Sequence, residues 1–332
     1  MRLVNPVSPT VLSVGSVIGN GGLQGAYYLG YGKVNAFASS KSNKKAGQLE
    51  KPSLQPFEFS VEFVFSNLLS PEEVDSVRNA LQMMGSAGGL GGRSRRGWGS
   101  LTITSWTEIQ GEKETQILER ISADPRTLFN SKLFDATQFP DWSAWHQGSR
   151  VLILECGGSK DTLHLLNEIG CEMLRYRSWG KGGEVLGNES EKRFLDDHNF
   201  FKNKRNRASL PVRAGMSYPD RVAFGLPHNY GPSKADQVEP AEEGLDRRAS
   251  PLFIHIHQLD KKSIAYGVLT FLPSRFLPGN APEVNAFGAN AKIDTTVAFY
   301  KPVSDFLDRL LGTGVAGNKN QSSITATEIQ HG

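Results

Sequence analysis

The chain has 332 residues, which is long enough for about two domains of ordinary size. Hydrophobic residues make up 38% of it and charged residues 21%, which is typical of a globular protein and excludes a chain that is disordered throughout. Lysine and arginine outnumber aspartate and glutamate only by 37 to 34, so a site for a polyanion has to come from local clusters of positive charge.

The cysteines and the apolar segments indicate the compartment. Cys156 and Cys171 are the two cysteines, and their spacing fits neither a disulfide framework nor a zinc knuckle. The apolar stretch at 11–18 is interrupted by serine and glycine and is too short for a membrane span or a signal peptide. We therefore expect a cytoplasmic protein with reduced thiols and no membrane partner.

The first predicted elements are a strand and a helix. Aromatic and apolar residues recur at every second position over 57–65, which predicts a strand with one aromatic face. Ser70 and Glu73 form a capping box around Pro71, so a helix is expected to begin there. Its apolar positions are Val74, Val77, Leu81 and Met84, and Gly85 is expected to end it.

A glycine-rich loop follows, and the alternation at 101–105 predicts a second strand after it. The second half of the chain begins with a similar unit, a strand at Val151–Cys156, a turn at 157–159 and a helix. That helix has one apolar face, formed by Leu166, Ile169, Met173 and Tyr176. We place a domain boundary near residue 148.

The remaining residues alternate between loops and short elements. Many prolines and glycines at 188–250 predict long loops. Strands are predicted at 251–257 and 263–272, and a last amphipathic helix at 303–311. Residues 313–332 are expected to form a disordered tail. The predicted domains are therefore 1–148 and 149–312.

The glycine-rich loop at Gly88–Ser100 has the most specific chemistry in the chain. It holds six glycines, three arginines and no acidic residue. Glycines expose successive backbone N–H groups, and guanidinium groups bind phosphate oxygens in pairs. Trp98 offers a ring for stacking on a base. The predicted polyanion site comprises Gly88, Gly89, Gly91, Gly92, Arg93, Ser94, Arg95, Arg96, Gly97 and Trp98.

Nucleotide-binding motifs fit this loop poorly. It contains no Lys-Ser or Lys-Thr pair after its glycines, and it follows a helix and does not open one. ATP and NAD are therefore disfavoured, and we expect no cofactor. A tight glycine turn with solvated arginines remains the alternative to a nucleic-acid site.

The loop resembles the glycine-rich loop of the CRISPR-associated RAMP superfamily. The segments Ala223–Pro227 and Arg247–Leu252, in their order and distance, resemble the family of the first-named subunit of the type III-B, or Cmr, effector complex. The stretch Tyr27–Gly32 is also similar to that family. The resemblance runs from about residue 25 to about residue 275.

This resemblance implies an α+β fold of tandem ferredoxin-like (RRM-like) domains with long loop insertions. It also implies an antiviral subunit that caps the complex near the guide RNA 3′ region and contacts guide and target RNA. Other RAMP subunits would be its partners, and target cutting would belong to them. Family members usually have a strand, a glycine loop and an arginine-bearing helix before the Tyr27–Gly32 stretch. Here only 23 residues precede Gln24, so we expect either a shortened first domain or a missed start.

Further candidate RNA contacts lie outside the loop. His228, Arg247 and Arg248 are carried over from the resemblance. Arg175 and Arg177, beside Trp179, end the predicted helix, where pairing with the helix dipole is the alternative. A basic run with interleaved phenylalanines adds Lys192, Arg193, Lys202, Lys204, Arg205, Arg207 and Arg213, whose alternative is a solvated surface.

Signals for catalysis are weak. His255 and His257 share one face of a predicted strand without a third metal ligand nearby in sequence, so core histidines are the favoured interpretation. Asp196, Asp197 and His198 are expected to neutralise neighbouring arginines and not to bind a metal. No Cys-His pairing is evident. We expect a non-catalytic RNA-binding subunit; the alternatives are a metal-independent endoribonuclease using His228 or His198, and an assembly adaptor that binds acidic proteins.

Overall fold

The structure is a computed structural model, and it describes residues 2–4, 8–19, 22–38, 43–110, 113–116, 125–127, 129, 140–180, 182–202, 219–230, 237–277, 283–286, 289–293, 297–313 and 323–329. The chain folds into α+β structure. None of the helices in these ranges is long and apolar enough to cross a membrane.

A four-stranded antiparallel sheet organises the second half of the chain. Its strands, in sequence order, are β7 (Arg150–Cys156), β12 (Leu252–His257), β13 (Tyr266–Phe271) and β16 (Ile324–Glu328), and they lie side by side as β12-β13-β7-β16. Helix α3 (Thr162–Arg177) follows β7, and α5 (Lys301–Leu311) precedes β16. This strand-helix-strand-strand-helix-strand order with antiparallel neighbours is the ferredoxin-like topology.

Both helices pack on one face of this sheet, as their periodicity predicts. Leu152 and Leu154 of β7 and Ile169 and Met173 of α3 belong to the same buried cluster, which also contains Phe306 of α5. The predicted strands at 151–156, 251–257 and 263–272 and the helix at 303–311 are confirmed, because each carries a continuous apolar face that the sheet buries.

The opposite face of the sheet is covered by the first half of the chain. Helix α2 (Pro71–Ala87) packs there, and Met83 and Ala87 meet a cluster that includes Val151 and Ile153. Ser70 accepts a hydrogen bond from the Glu73 amide while the Glu73 side chain accepts one from the Ser70 amide, so the predicted capping box is confirmed.

The sequence predicts that helix α2 ends at Gly85, but the helix continues past this residue. Gly85 lies inside the helix, and a Cβ there would stand 2.7 Å from the Ile103 side chain. This glycine is therefore required for close packing, and the helix continues to Ala87 with Gly88 as its C-cap.

The predicted strand at 57–65 is largely wrong. Only β4 (Ser60–Glu62) is a strand, paired with β1 (Arg2–Val4), and Phe57, Phe63 and Phe65 are exposed. A period of two produces a buried face only where a partner covers it, and β1 is three residues long. The other described pairs of the first half are also short, namely β2 (Val11–Leu12) with β3 (Ser53–Leu54) and β5 (Thr107–Gln110) with β6 (Lys113–Gln116). Helix α1 (Gln24–Leu29) packs against α3.

The segment predicted as a strand at 101–105 runs beside β12 without forming a ladder. The Ile256 amide donates to Ser100 Oγ at 2.9 Å and the Gln258 amide to Thr102 Oγ1 at 3.4 Å. Side-chain hydroxyls thus take the place of backbone carbonyls along this edge of the sheet.

The predicted long loops at 188–250 contain short elements. They are β9 (Asn188–Glu189), which pairs with β8 (Glu184–Val185), α4 (Leu195–Lys202), a 3₁₀ turn at Asp220–Phe224, β10 (His228–Asn229) and β11 (Gln237–Pro240). Strands β10 and β11 form a second sheet with β14 (Glu283–Ala286) and β15 (Ala289–Lys292). Residues 203–218 lie outside the described ranges.

The expected disordered tail at 313–332 is wrong over Ile324–Glu328. These residues form β16, which pairs with β7 through Ile324–Cys156 and the following positions. The strand supplies the fourth strand of the ferredoxin-like unit, and Ile324 is buried against the α3 and α5 side of the sheet. The unit therefore extends beyond residue 312, while the division into two domains at residue 148 stays a prediction.

Candidate nucleic-acid interface

The glycine-rich loop lies along the open edge of β12. The Ile254 amide donates to Arg95 O at 3.1 Å, and His255 Nδ1 lies 2.7 Å from Gly88 O. The Leu90 amide donates to Gly99 O at 2.8 Å, which closes the loop. Gly99 has φ of +79°, and a Cβ there would lie 2.1 Å from Leu90 O, so this closure requires glycine.

The tip of the loop, at residues 91–94, is largely exposed. Gly91 and Arg93 both adopt left-handed conformations, with φ of +80° and +67°. Within the described part of the chain, the amides of 91–94 donate to no backbone carbonyl or side chain. Successive free amides around left-handed residues form the concave arrangement that binds anions in other proteins.

Arg95 and Arg96 lie against the second half of the chain. Arg95 donates to Ser250 O at 3.1 Å, and its guanidinium lies 4.3 Å from the centre of the Phe253 ring. Arg96 donates to Phe224 O at 3.4 Å and contacts the Met173 sulfur at 3.4 Å. Both side chains remain half-buried.

Arg177 and His228 extend this group of side chains. The Arg177 guanidinium lies 4.4 Å from the Phe224 ring centre and 4.0 Å from the Met173 sulfur, so it neighbours Arg96. His228 Nδ1 lies 3.4 Å from Arg177 Nη2. The predicted helix-end arginine thus lies next to Arg96 of the glycine-rich loop, and the predicted histidine lies next to that arginine.

Arg248 completes the arrangement from a third segment. It donates to Ser274 Oγ at 2.5 Å and to Arg275 O at 3.2 Å. Its positive charge is close enough to Arg95 to repel it. We use the term arginine cluster for Arg93, Arg95, Arg96, Arg177 and Arg248.

Ion pairing separates the arginine cluster from the other arginines. The arginines that form an ion pair with a described carboxylate are Arg78, Arg126, Arg150, Arg175, Arg193, Arg221, Arg247, Arg275 and Arg309. Within the same residue ranges, no member of the arginine cluster has a carboxylate partner. The cluster is therefore a concentration of positive charge that no carboxylate of the described residues neutralises.

Burial and repulsion by neighbouring arginines lower the pKa values of Arg93, Arg95 and Arg96. Burial is the main cause for Arg93, Arg95 and Arg96, and the charge of Arg177 contributes next for Arg96, whose pKa falls to about 10. Arg96 still carries its proton at neutral pH. Burial, followed by the charges of Arg177 and Arg221, lowers the pKa of His228 well below its ordinary value, so its imidazole is neutral.

Two predicted site residues have structural partners. Trp98 was expected to offer a stacking surface, but its Nε1 donates to Ala26 O at 3.2 Å and its ring packs on the main core. The ring packs inward because Gly30 leaves space for it: a Cβ on that glycine would lie 2.9 Å from Trp98 Nε1. Arg175 forms an ion pair with the buried Glu172, a partner that differs both from the predicted RNA contact and from the helix-dipole pairing considered as its alternative.

The basic run at 192–213 is described only in part. Lys192 pairs with Glu189 at 2.6 Å and Arg193 with Glu191 at 3.6 Å. The side chain of Lys202 and all of Lys204, Arg205, Arg207 and Arg213 lie outside the described residues.

The other histidine and acidic candidates are engaged in the fold. Asp197 accepts from Arg221 Nε at 3.1 Å and from the Tyr230 hydroxyl at 3.0 Å, in line with the predicted neutralising role. The His198 ring stacks on Trp179 at 3.7 Å. His255 and His257 are both buried, and burial lowers the pKa of His255 to about 4.

Sequence reasoning missed two groups of contacts. Cys156 Sγ lies 3.5 Å from His164 Nε2 and 2.9 Å from Ser323 Oγ, a pairing that requires β7, α3 and the start of β16 to meet. Lys33 and Tyr31 lie beside the glycine-rich loop: a Cβ on Gly92 would stand 2.8 Å from Lys33 Nζ. The Tyr27–Gly32 motif was the available signal for the second group.

Comparison with known proteins gives the superfamily that residues 27–102 resemble. Residues 27–102 match the family model of the RAMP superfamily. This segment resembles the RAMP superfamily. The match contains the whole glycine-rich loop, so the superfamily resemblance predicted from that loop is confirmed.

Other comparisons add one solved structure. The chain aligns with the apo crystal structure of Cmr1 from Pyrococcus furiosus at 15% identity and a TM-score of 0.36, covering 97% of this chain and 76% of that one. No curated protein matches the chain significantly.

Proposed function

We propose that the arginine cluster and the tip of the glycine-rich loop bind the phosphate backbone of RNA. On this proposal the chain is an RNA-binding, non-catalytic subunit of a cytoplasmic type III-B (Cmr) CRISPR complex in antiviral defence. It would cap the complex near the guide RNA 3′ region, contact guide and target RNA, and dock on other RAMP subunits. The superfamily match and the motifs at 223–227 and 247–252 support this assignment.

One observation carries the proposal. Among the described residues, the arginines without a carboxylate partner converge from the glycine-rich loop, the end of α3 and residue 248. Guanidinium groups repel one another, and their assembly is unfavourable until an anion neutralises them. Phosphate oxygens accept the paired N–H groups that arginine presents.

The arrangement also disfavours one common mode of RNA recognition. RRM-type domains stack bases on the open face of their sheet. Here that face is covered by α2, Phe129 and Trp145. The proposed site therefore lies at the β12 edge, where the loop adds its amides and guanidinium groups.

Titration of a labelled single-stranded RNA, read by fluorescence anisotropy, tests the proposal. We expect the double variant R93Q/R95Q to weaken binding by about tenfold or more at low salt, because charge-assisted hydrogen bonds contribute about 1.5–3 kcal/mol each. Arg78→Gln is the matched control, since Arg78 is neutralised by Asp75 and Glu108 outside the cluster. Wild-type affinity in R93Q/R95Q would overturn the proposal. Binding of an acidic subunit by a chain without RNA affinity would favour the adaptor.

A second candidate function is RNA cleavage, and His228 is the observation that favours it. Its neutral imidazole lies beside Arg177 and Arg96, where a phosphate would bind. A neutral histidine is able to accept the proton of a 2′-hydroxyl group, but its depressed pKa makes it a weak base and leaves little of the protonated form to act as a general acid at neutral pH.

Incubation of a repeat-containing RNA with the protein in chelator separates the two functions. Defined cleavage that His228→Gln abolishes, with RNA affinity retained, would establish the endoribonuclease. RNA that stays intact with the wild type and with His228→Gln would support the assignment as a binding subunit. His198→Gln serves as the comparison, because His198 stacks on Trp179.

A further inference from the structure

We propose that Tyr31 is a stacking platform for an unpaired base at the edge of the arginine cluster, so that the bound nucleic acid is single-stranded RNA. This inference rests on the proposed function and specifies its ligand. The sequence had assigned the stacking role to Trp98, whose ring is instead committed to the core.

Tyr31 is exposed although its neighbours are not. Its side chain keeps 54% of its accessible surface, whereas Tyr27 and Leu29 are buried. An exposed aromatic ring beside positive charge is the combination that single-stranded nucleic-acid sites use, because every base has a face for stacking and every phosphate a charge.

The turn that carries Tyr31 is held on both sides. The Lys33 and Val34 amides donate to Gly30 O at 2.9 and 3.0 Å, and the Tyr31 amide donates to Tyr28 O at 3.2 Å. The Glu50 amide donates to Lys33 O at 2.8 Å. A ring on such a turn loses little conformational freedom when a base binds, which favours affinity.

Positive charge lies directly beside this turn. Arg93 Nη2 would be 3.2 Å from a Cβ placed on Gly32, the residue after Tyr31. Lys33 Nζ lies against Gly92 of the loop. A base on the Tyr31 ring would thus place its own phosphate within reach of Arg93, Lys33 and the loop amides.

Stacking on Tyr31 requires a base that has left its helix. In duplex RNA the bases are stacked on one another, and proteins contact the backbone and the 2′-hydroxyl groups. The Tyr31 platform therefore selects single strands, while the arginine cluster alone would bind any polyanion.

Parallel titrations with single-stranded RNA and with inorganic polyphosphate test this inference. We expect Tyr31→Ala to weaken RNA binding by about 5- to 160-fold, the range for loss of one base-aromatic stack, and to leave polyphosphate binding within about twofold. Tyr31→Phe keeps the ring and should bind RNA like the wild type. Phe57→Ala is the control for an exposed aromatic residue outside the cluster.

Tyr31→Leu protects the test against misfolding, because it keeps apolar volume without a π face and should lose affinity as Tyr31→Ala does. Crosslinking of an RNA that carries 5-iodouridine should in addition label Tyr31. Wild-type RNA affinity in Tyr31→Ala and Tyr31→Leu, or equal loss of polyphosphate affinity, would overturn the inference. If RNA binding still depends on Arg93 and Arg95, the proposed function survives that result; if the wild type binds no RNA, the proposed function itself fails.

Discussion

Leu226 and Arg248 exchange two backbone hydrogen bonds, of 2.7 and 3.0 Å. This bridge fixes the segment Ala223–Pro227 against the pair Arg247–Arg248, although more than twenty residues separate them in sequence. The Ile254 amide fixes the glycine-rich loop on the adjoining strand through Arg95 O. Backbone contacts therefore position the segments that carry the arginine cluster, and Arg95, Arg96 and Arg248 add side-chain hydrogen bonds within the fold.

The position of Arg93 predicts a trade-off between stability and function. Arg93 is only partly exposed, repels Arg247 and has no carboxylate partner among the described residues. We expect Arg93→Gln to leave the free energy of unfolding within about 0.5 kcal/mol of the wild-type value, or to raise it, while RNA affinity falls. Urea unfolding with and without polyphosphate measures both effects. A loss of about 2 kcal/mol in the absence of anion would show that Arg93 has a structural role.

The buried ion pair between Arg309 and Glu172 predicts a large stability effect. Arg309 Nη2 lies 2.8 Å from Glu172 Oε2, both side chains are essentially inaccessible, and Glu191 contributes a second carboxylate. Arg309→Ala should lower the free energy of unfolding by about 3–5 kcal/mol, because it leaves buried carboxylates without a partner. Lys301→Ala removes an exposed ion pair with Asp305 and should change the free energy of unfolding by less than about 1 kcal/mol. Similar effects for the two variants in chemical denaturation would contradict this account.

The buried side chain of His255, in β12, predicts a loss of stability in acid. His255 has a pKa of about 4 in the folded chain because burial disfavours its charged form, against about 6.5 when unfolded. Between these pH values the unfolded chain binds more protons than the folded chain. The contribution of neutral His255 to the free energy of unfolding is therefore fully present above about pH 6.5. It falls as the pH is lowered, by at most about 1.4 kcal/mol per pH unit. His228 acts in the same direction.

His255→Asn keeps a donor for Gly88 O and removes this titration. We expect its free energy of unfolding to change less between about pH 7 and pH 5 than that of the wild type. An identical pH profile for the two proteins would assign the acid sensitivity to other groups.

Local signals predicted several elements correctly. The Ser70 capping box, the apolar face of α3 and the amphipathic face of α5 depend on residues a few positions apart, and all three form as expected. The strands β7, β12 and β13 consist mainly of apolar residues that the two faces of one sheet bury.

The errors concern contacts between distant segments. Alternation at 57–65 indicates a strand only if a long partner is present, and β1 is too short to cover its aromatic face. The alternating residues of β16 found a partner in β7, which lies more than 160 residues earlier. Trp98 was assigned to the surface because its contact with Ala26 O depends on how α1 packs.

The sequence identified the arginines that are candidates for RNA contact, but it could not show which of them form ion pairs within the fold. Arg175 and Arg177 differ by two positions and look equivalent in sequence. In the structure Arg175 pairs with Glu172, whereas Arg177 contacts Phe224 and His228. The distinction depends on the direction of each side chain from the helix.

The salt dependence of RNA affinity tests the central claim most directly, because each phosphate neutralised by the protein releases counterions. For a single-stranded RNA the slope of log K against log salt is about −0.7 per phosphate contact. We predict a clearly negative slope for the wild type and for Arg78→Gln, and a slope shallower by about 1.4 for R93Q/R95Q, which removes two contacts. An unchanged slope in R93Q/R95Q would contradict the assignment of the arginine cluster to RNA phosphates.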